Sequence, residues 1–123
     1  MTRQSTVLIV EDHADVARAL GALIDDQVDM RVVGTAGSVA ESISLAGDLK
    51  PDVVLMDYRL PDGTGDHAGA TIKQNRPSTR LIFVTREESS GVREAAWKAG
   101  AFELVPKSRV ASDLLGAIRR AVA

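Results

Sequence analysis

Five side chains that stand just after short apolar runs could do chemistry together. Glu11 and Asp12 follow Val7-Leu8-Ile9-Val10, Asp57 follows Val53-Val54-Leu55-Met56, and Thr85 follows Leu81-Ile82-Phe83-Val84. Lys107 comes after a more mixed run, residues 102–105, with Pro106 between. Carboxylates brought close together repel, and each raises its neighbours' pKa. A divalent cation relieves this. Oxygen ligands without His or Cys suit a hard ion, and a partly hydrated site suits Mg2+ better than Ca2+. Lys107 would add a fixed positive charge and Thr85 a hydroxyl donor. Mg2+, ammonium and hydroxyl can together surround the oxygens of a phosphoryl group on a carboxylate, and Asp is an acceptor of that kind. Such transfer needs mainly positioning and charge neutralisation.

Each residue alone has an ordinary explanation. Glu11 and Asp12 could begin a helix, where acidic side chains favour the N-terminal dipole. Thr85 could simply end a strand, and Lys107 could be a structural partner for Asp57. Asp57 is harder to dismiss, because a buried lone carboxylate costs several kcal/mol unless paired. The whole set, on four strand ends, argues against coincidence. Asp62-Gly63 and Gly65 read as turn residues. His13 and His67 read as surface residues rather than metal ligands, and Asp25-Asp26 as a solvated loop pair.

These residues need elements to position them. The three continuous apolar runs suggest strands buried on both faces. Residues 30–33 and 102–105 are more mixed and suit sheet edges. The intervening segments have a helical period. Val16, Leu20, Leu23 and Ile24 share one face, and so do Val39, Ile43 and Ala46 after Ser38, with Glu41 completing a capping box. Pro51 bounds that helix, and Pro77 bounds one centred on Ile72. Val92, Ala95, Ala96 and Ala99 line a fourth helix stopping at Gly100. Leu114, Leu115, Ile118, Ala121 and Val122 line a fifth, with Ser112 as its expected N-cap. Five βα units with right-handed crossovers make a doubly wound α/β sandwich, a five-stranded parallel sheet with helices on both faces. In such sheets ligands bind beyond the carboxyl ends of the strands, where the five side chains cluster.

The bulk properties narrow the function. Residues 1–123 read as one domain with no linker or repeat, either a complete protein or one domain of a longer one. Net charge is −2 without a basic run, which argues against nucleic-acid binding through the bulk surface but not against a DNA-binding domain elsewhere. No cysteine is present, so disulfides, zinc–thiolate sites and thiol nucleophiles are excluded. No apolar run approaches the roughly 18–20 residues of a membrane span. The polar start shows no signal peptide, which makes the cytoplasm the expected location and no membrane partner expected.

The ordered set resembles a known family. Glu11-Asp12, the stretch from Asp57 through Tyr58-Arg59-Leu60-Pro61-Asp62-Gly63-Thr64 to Gly65, Thr85, and Lys107 look like the response-regulator receiver domain of two-component signalling, over essentially the whole chain. The Asp-Tyr-Arg-Leu-Pro-Asp-Gly stretch and Pro106-Lys107-Ser108 look most like receivers that precede helix-turn-helix output domains. The resemblance implies a flavodoxin-like fold with strand order 2-1-3-4-5. It implies that Asp57 accepts a phosphoryl group from a histidine kinase or phosphotransfer protein. Glu11, Asp12, Asp57 and the backbone carbonyl of Arg59 would surround Mg2+, and Thr85 and Lys107 would bind phosphate oxygens. Receivers act as switches rather than turnover enzymes. They commonly dimerise or bind partners through the face of the fourth helix, fifth strand and fifth helix. Trp97 points well away from the core face of its helix at ~100° per residue, so it is either packed by a loop or part of that interface.

Three features depart from the family. Leu104 stands where an aromatic switch residue is usual, with Phe102 a pleat away. Arg86 follows Thr85 where a small residue is usual, and its guanidinium could narrow the entrance, pair with the incoming phosphate or pair with an acidic neighbour. Arg59 and Glu87 flank the site and could pair across its mouth. Two other functions compete: a phosphorylation-independent interaction module on the same fold, and a Mg2+ phosphohydrolase with an Asp nucleophile. The hydrolase would need a second Asp two residues after the nucleophile, where Arg59 stands.

Overall fold

The central strands are built from the three apolar runs because each can bury both of its faces. In the computed structural model, which describes residues 3–123, these are β1 (Ser5–Val10), β3 (Val53–Met56) and β6 (Arg80–Thr85). Alternation splits each run between two cores. Leu8, Val10, Val54, Met56, Leu81 and Phe83 face one side. Val7, Ile9, Val53, Leu55, Ile82 and Val84 face the other. The edges are β2 (Met30–Ala36) and β7 (Ala101–Pro106), and the order is β2-β1-β3-β6-β7, all parallel. This is the doubly wound arrangement read from the sequence. Its numbering differs because a two-residue hairpin, β4 (Arg59–Leu60) with β5 (Gly63–Thr64), lies outside the sheet.

The helices α1 (Ala14–Asp25) and α5 (Val110–Val122) cover one face of the sheet. On the other lie α2 (Val39–Leu49), α3 (Gly65–Asn75) and α4 (Ser90–Lys98). Only half of the capping box at α2 forms as expected: Ser38 Oγ accepts from Glu41 N at 3.1 Å, but the Glu41 carboxylate reaches past the N-cap and accepts from Gly37 N at 2.7 Å. Ser89 caps α4, which ends before Gly100 at φ +97°, a left-handed conformation that suits glycine.

Several expectations need correction. Ser112 does not cap α5. A 3-10 turn, Lys107–Arg109, runs straight into that helix, so Arg109 takes the N-cap position and Ser112 lies in the first turn, donating to Arg109 O at 3.3 Å. Gly65 is the first residue of α3 rather than a turn residue. A Cβ there would collide with the Asp57 carbonyl oxygen. Asp25 closes α1 instead of floating in a loop, and its carboxylate accepts from Val32 N at 2.9 Å. Val122 lies on the rim of its helix and is 40% exposed. At β7 the register slips by one residue, leaving Phe102 as an unpaired bulge that is 39% exposed. Among the described residues no helix is long and apolar enough to cross a membrane.

Candidate functional site

Sheet hydrogen bonding continues one residue past β1 and β3. Glu11 N donates to Ala36 O at 2.8 Å, and Asp57 N to Val10 O at 3.0 Å. That fixes both carboxylates at the sheet's C-terminal edge, beside the gap between β1 and β3 where strand order reverses. Glu11, Asp57 and Thr85 are all buried, while Asp12 turns outward. From the end of β7, Lys107 Nζ reaches across to donate to Glu11 Oε1 at 2.6 Å and Asp57 Oδ2 at 2.9 Å. The backbone of Tyr58 donates to Asp57 Oδ1 at 2.8 Å. Thr85 Oγ1 accepts from Glu87 N at 3.1 Å, which leaves its hydroxyl proton for another acceptor.

The electrostatics follow from burial and pairing. Burial raises Asp57, and the negative charge of Glu11 adds to it. The bond from Lys107 only partly offsets them, so Asp57 sits above the ordinary carboxylate value. Burial also opposes ionisation of Glu11, but bonds from Lys107 and His13 outweigh it and hold Glu11 at about 2. Lys107 is pushed down by burial and, more strongly, pulled up by its two carboxylates. The site thus holds three carboxylates against one ammonium, and among the described residues the one ion-pair partner of Asp12 is the ring of His13. This excess of anionic oxygen at a strand edge suits a hard divalent cation.

The surroundings hold the loop in place. Arg59 and Glu87 form the pair foreseen from their positions, with Nε–Oε1 at 2.6 Å and Nη2–Oε2 at 3.2 Å. Asp62, read as a turn residue, also caps α2: its carboxylate accepts from Val39 N at 2.7 Å and Ala40 N at 3.1 Å. Only a pairing distant in sequence reveals that role. His13 is 58% exposed at its side chain, as a surface residue would be, yet Nδ1 lies 3.2 Å from Glu11 Oε2 and 3.4 Å from Asp12 Oδ1. Leu104 is buried in the core that includes Phe83, Val92 and Ala96. Arg86 is exposed and lines, with Lys107, a cavity of about 270 Å3 bounded by Val16, Ala19, Leu20, Val84 and Val110. Trp97 stands 51% exposed on α4.

The family model for the response regulator receiver domain matches residues 7–119. The chain belongs to the response regulator receiver family. The receiver superimposes on the response regulator domain of Thermotoga maritima CheB with a TM-score of 0.90 at 35% identity, covering 97% of this chain and 96% of that one. It matches a LuxR-family two-component response regulator from Aurantimonas sp. SI85-9A1 with a TM-score of 0.90 at 30% identity, covering 95% and 84%. In sequence it is 36% identical to the protein-glutamate methylesterase/protein-glutamine glutaminase of Thermotoga maritima, over 94% of this chain and 37% of that protein. It is 32% identical to the response regulator VraR of Staphylococcus aureus, over 93% of this chain and 54% of that protein. The receiver therefore spans a third to a half of these curated relatives.

Proposed function

We propose that this receiver is a phosphorylation-activated switch in which Asp57 accepts a phosphoryl group from a histidine kinase or a phosphotransfer protein. Mg2+ would be held by Glu11, Asp12, Asp57 and the Arg59 backbone carbonyl, and when bound it supplies neutralisation of phosphoryl oxygens. A carboxylate oxygen of Asp57 forms the new O–P bond as the N–P bond of the donor phosphohistidine breaks, and the released imidazole nitrogen keeps the electron pair. Lys107 Nζ then exchanges its contact with Asp57 for one with a phosphoryl oxygen, and the Thr85 hydroxyl donates to another. The observation that carries this reading is Lys107 bridging the buried pair Glu11 and Asp57 at a strand-end edge.

The added charge biases a two-state equilibrium read at an output surface. The face of α4, β7 and α5, with Trp97, is the proposed surface for homodimerisation or partner binding. A C-terminal DNA-binding output domain, expected from the Asp57-Tyr58-Arg59-Leu60-Pro61-Asp62-Gly63 stretch, and a place in the cytoplasm complete the proposed reading. Unchanged self-association in Trp97→Ala, with and without beryllofluoride, would remove Trp97 from that surface. The burial of Leu104, which leaves no aromatic ring to swing inward at that position, favours the phosphorylation-independent module as the second reading.

Incubation with Mg2+ and acetyl phosphate, read by intact mass, separates the alternatives. One phosphoryl group per chain, lost in Asp57→Asn, supports the switch. Multiple turnover points to a hydrolase, and no modification to a binding module.

A further inference from the structure

His13 occupies the N-cap position of α1, where Ser, Thr, Asp or Asn usually accepts a backbone N–H, yet its side chain makes no capping bond. The ring turns to the carboxylates instead. Glu11, Asp12 and His13 each offer one ligand atom, and these atoms lie within 4.8 Å of one another. Glu11 Oε1 is committed to Lys107, so Oε2 is the oxygen that faces the ring. The ring is 58% exposed, so it can turn toward a bound ion without disturbing the core.

We propose that His13 supplies a nitrogen ligand to the ion at the Glu11–Asp12 pair, so that its loss weakens binding of Mn2+ or Zn2+ more than binding of Mg2+. Imidazole suits the transition ions, whereas Mg2+ is served by carboxylate, carbonyl and water oxygens. Two carboxylates with one imidazole form a mixed N/O donor set. Such a set raises affinity along the transition series more than it raises affinity for Mg2+. The inference rests on the reading of Glu11 and Asp12 as metal-holding residues and adds one ligand to them.

Binding of Mg2+, Mn2+ and Zn2+ to the unphosphorylated protein is measured by isothermal titration calorimetry for wild type, His13→Ala and Asp12→Asn, with folding checked by circular dichroism. In His13→Ala, Mn2+ and Zn2+ binding should weaken about tenfold or more, with Mg2+ nearly unchanged. A pulsed electron paramagnetic resonance measurement on the Mn2+ complex should show coupling to a directly bound nitrogen that disappears in His13→Ala. Equal losses for all three ions, or no nitrogen coupling in wild type, would overturn the proposal and leave His13 as a hydrogen-bond partner of Glu11. If Asp12→Asn leaves every ion's affinity unchanged, the failure lies in the reading of the acidic pair as a metal site.

Discussion

Lys107→Met removes the cation that joins the two buried carboxylates while keeping most of the aliphatic stem. Lys107 is 15% exposed at its side chain, and its partners Glu11 and Asp57 are 1% and 9% exposed. Breaking a buried pair by deleting one member costs roughly 3–5 kcal/mol, because the remaining charges lose their compensation. Residual exposure of Lys107 places the expected loss near the lower end, about 3 kcal/mol. For a domain of this length that is on the order of 10 °C in Tm. The assay is thermal and urea unfolding followed by circular dichroism at pH 7 in EDTA, then at pH 5, then at pH 7 with saturating Mg2+. Asp57 already has a folded-state pKa above its ordinary value, and loss of Lys107 raises it further. A carboxyl with a raised folded-state pKa binds protons more readily in the native state, so stability rises as pH falls through that pKa. The deficit of Lys107→Met should therefore shrink at pH 5, and shrink again with Mg2+. A deficit under about 1 kcal/mol, or one that is the same in all three conditions, would refute the buried-pair account.

Glu11 falls from an ordinary 4.5 to about 2 in the fold, so its contribution to stability is complete above 4.5 and is lost as pH drops through about 2. Glu11→Gln should remove on the order of 3 kcal/mol of acid dependence from that window, and an unaltered acid-unfolding curve would contradict it. Gly65→Ala would press its methyl against the Asp57 carbonyl and Met56, so a loss of about 2 kcal/mol or more is expected in denaturant titration, and wild-type stability would show that the contact relaxes freely. Arg86→Ala should speed phosphorylation by acetyl phosphate if the guanidinium hinders small donors, and identical rates would dismiss that role. Neutral replacements at Arg59 and Glu87 should hasten loss of the phosphoryl group from Asp57 if their pair limits water attack. The pair itself is exposed and should add little stability, which unfolding of the same variants would check.

Much of this was legible in the residues because it depends on alternation and on strand ends. A continuous apolar run such as Leu81–Val84 has few alternatives to a strand buried on both faces, and the residue after it must then lie at the sheet edge. What escaped depends on contacts distant along the chain. Asp62 carries the local signature of a turn, and only the packing of α2 beside the hairpin turns it into a cap. Gly65 reads as a turn residue because glycine usually signals one, whereas in the fold it permits close approach of a helix to the Asp57 carbonyl. Ser112 had the right chemistry for an N-cap, but the 3-10 turn before it starts the helix earlier. His13 shows no periodic signal at all, and its place among the carboxylates emerges only from side-chain geometry.

The loop after Asp57 has a further consequence. It is tied at one flank to α2 through Asp62, at the other to the segment after β6 through Arg59, and at its root by Gly65 N donating to Tyr58 O at 2.7 Å. Fixing one residue's backbone costs about 1–2 kcal/mol of conformational entropy. Here that freedom is already surrendered when the chain folds. A ligand arriving at Asp57 meets a preorganised rim, so association there should carry a small heat-capacity change and little configurational penalty. Loosening any one tie would pass that ordering cost from folding to binding.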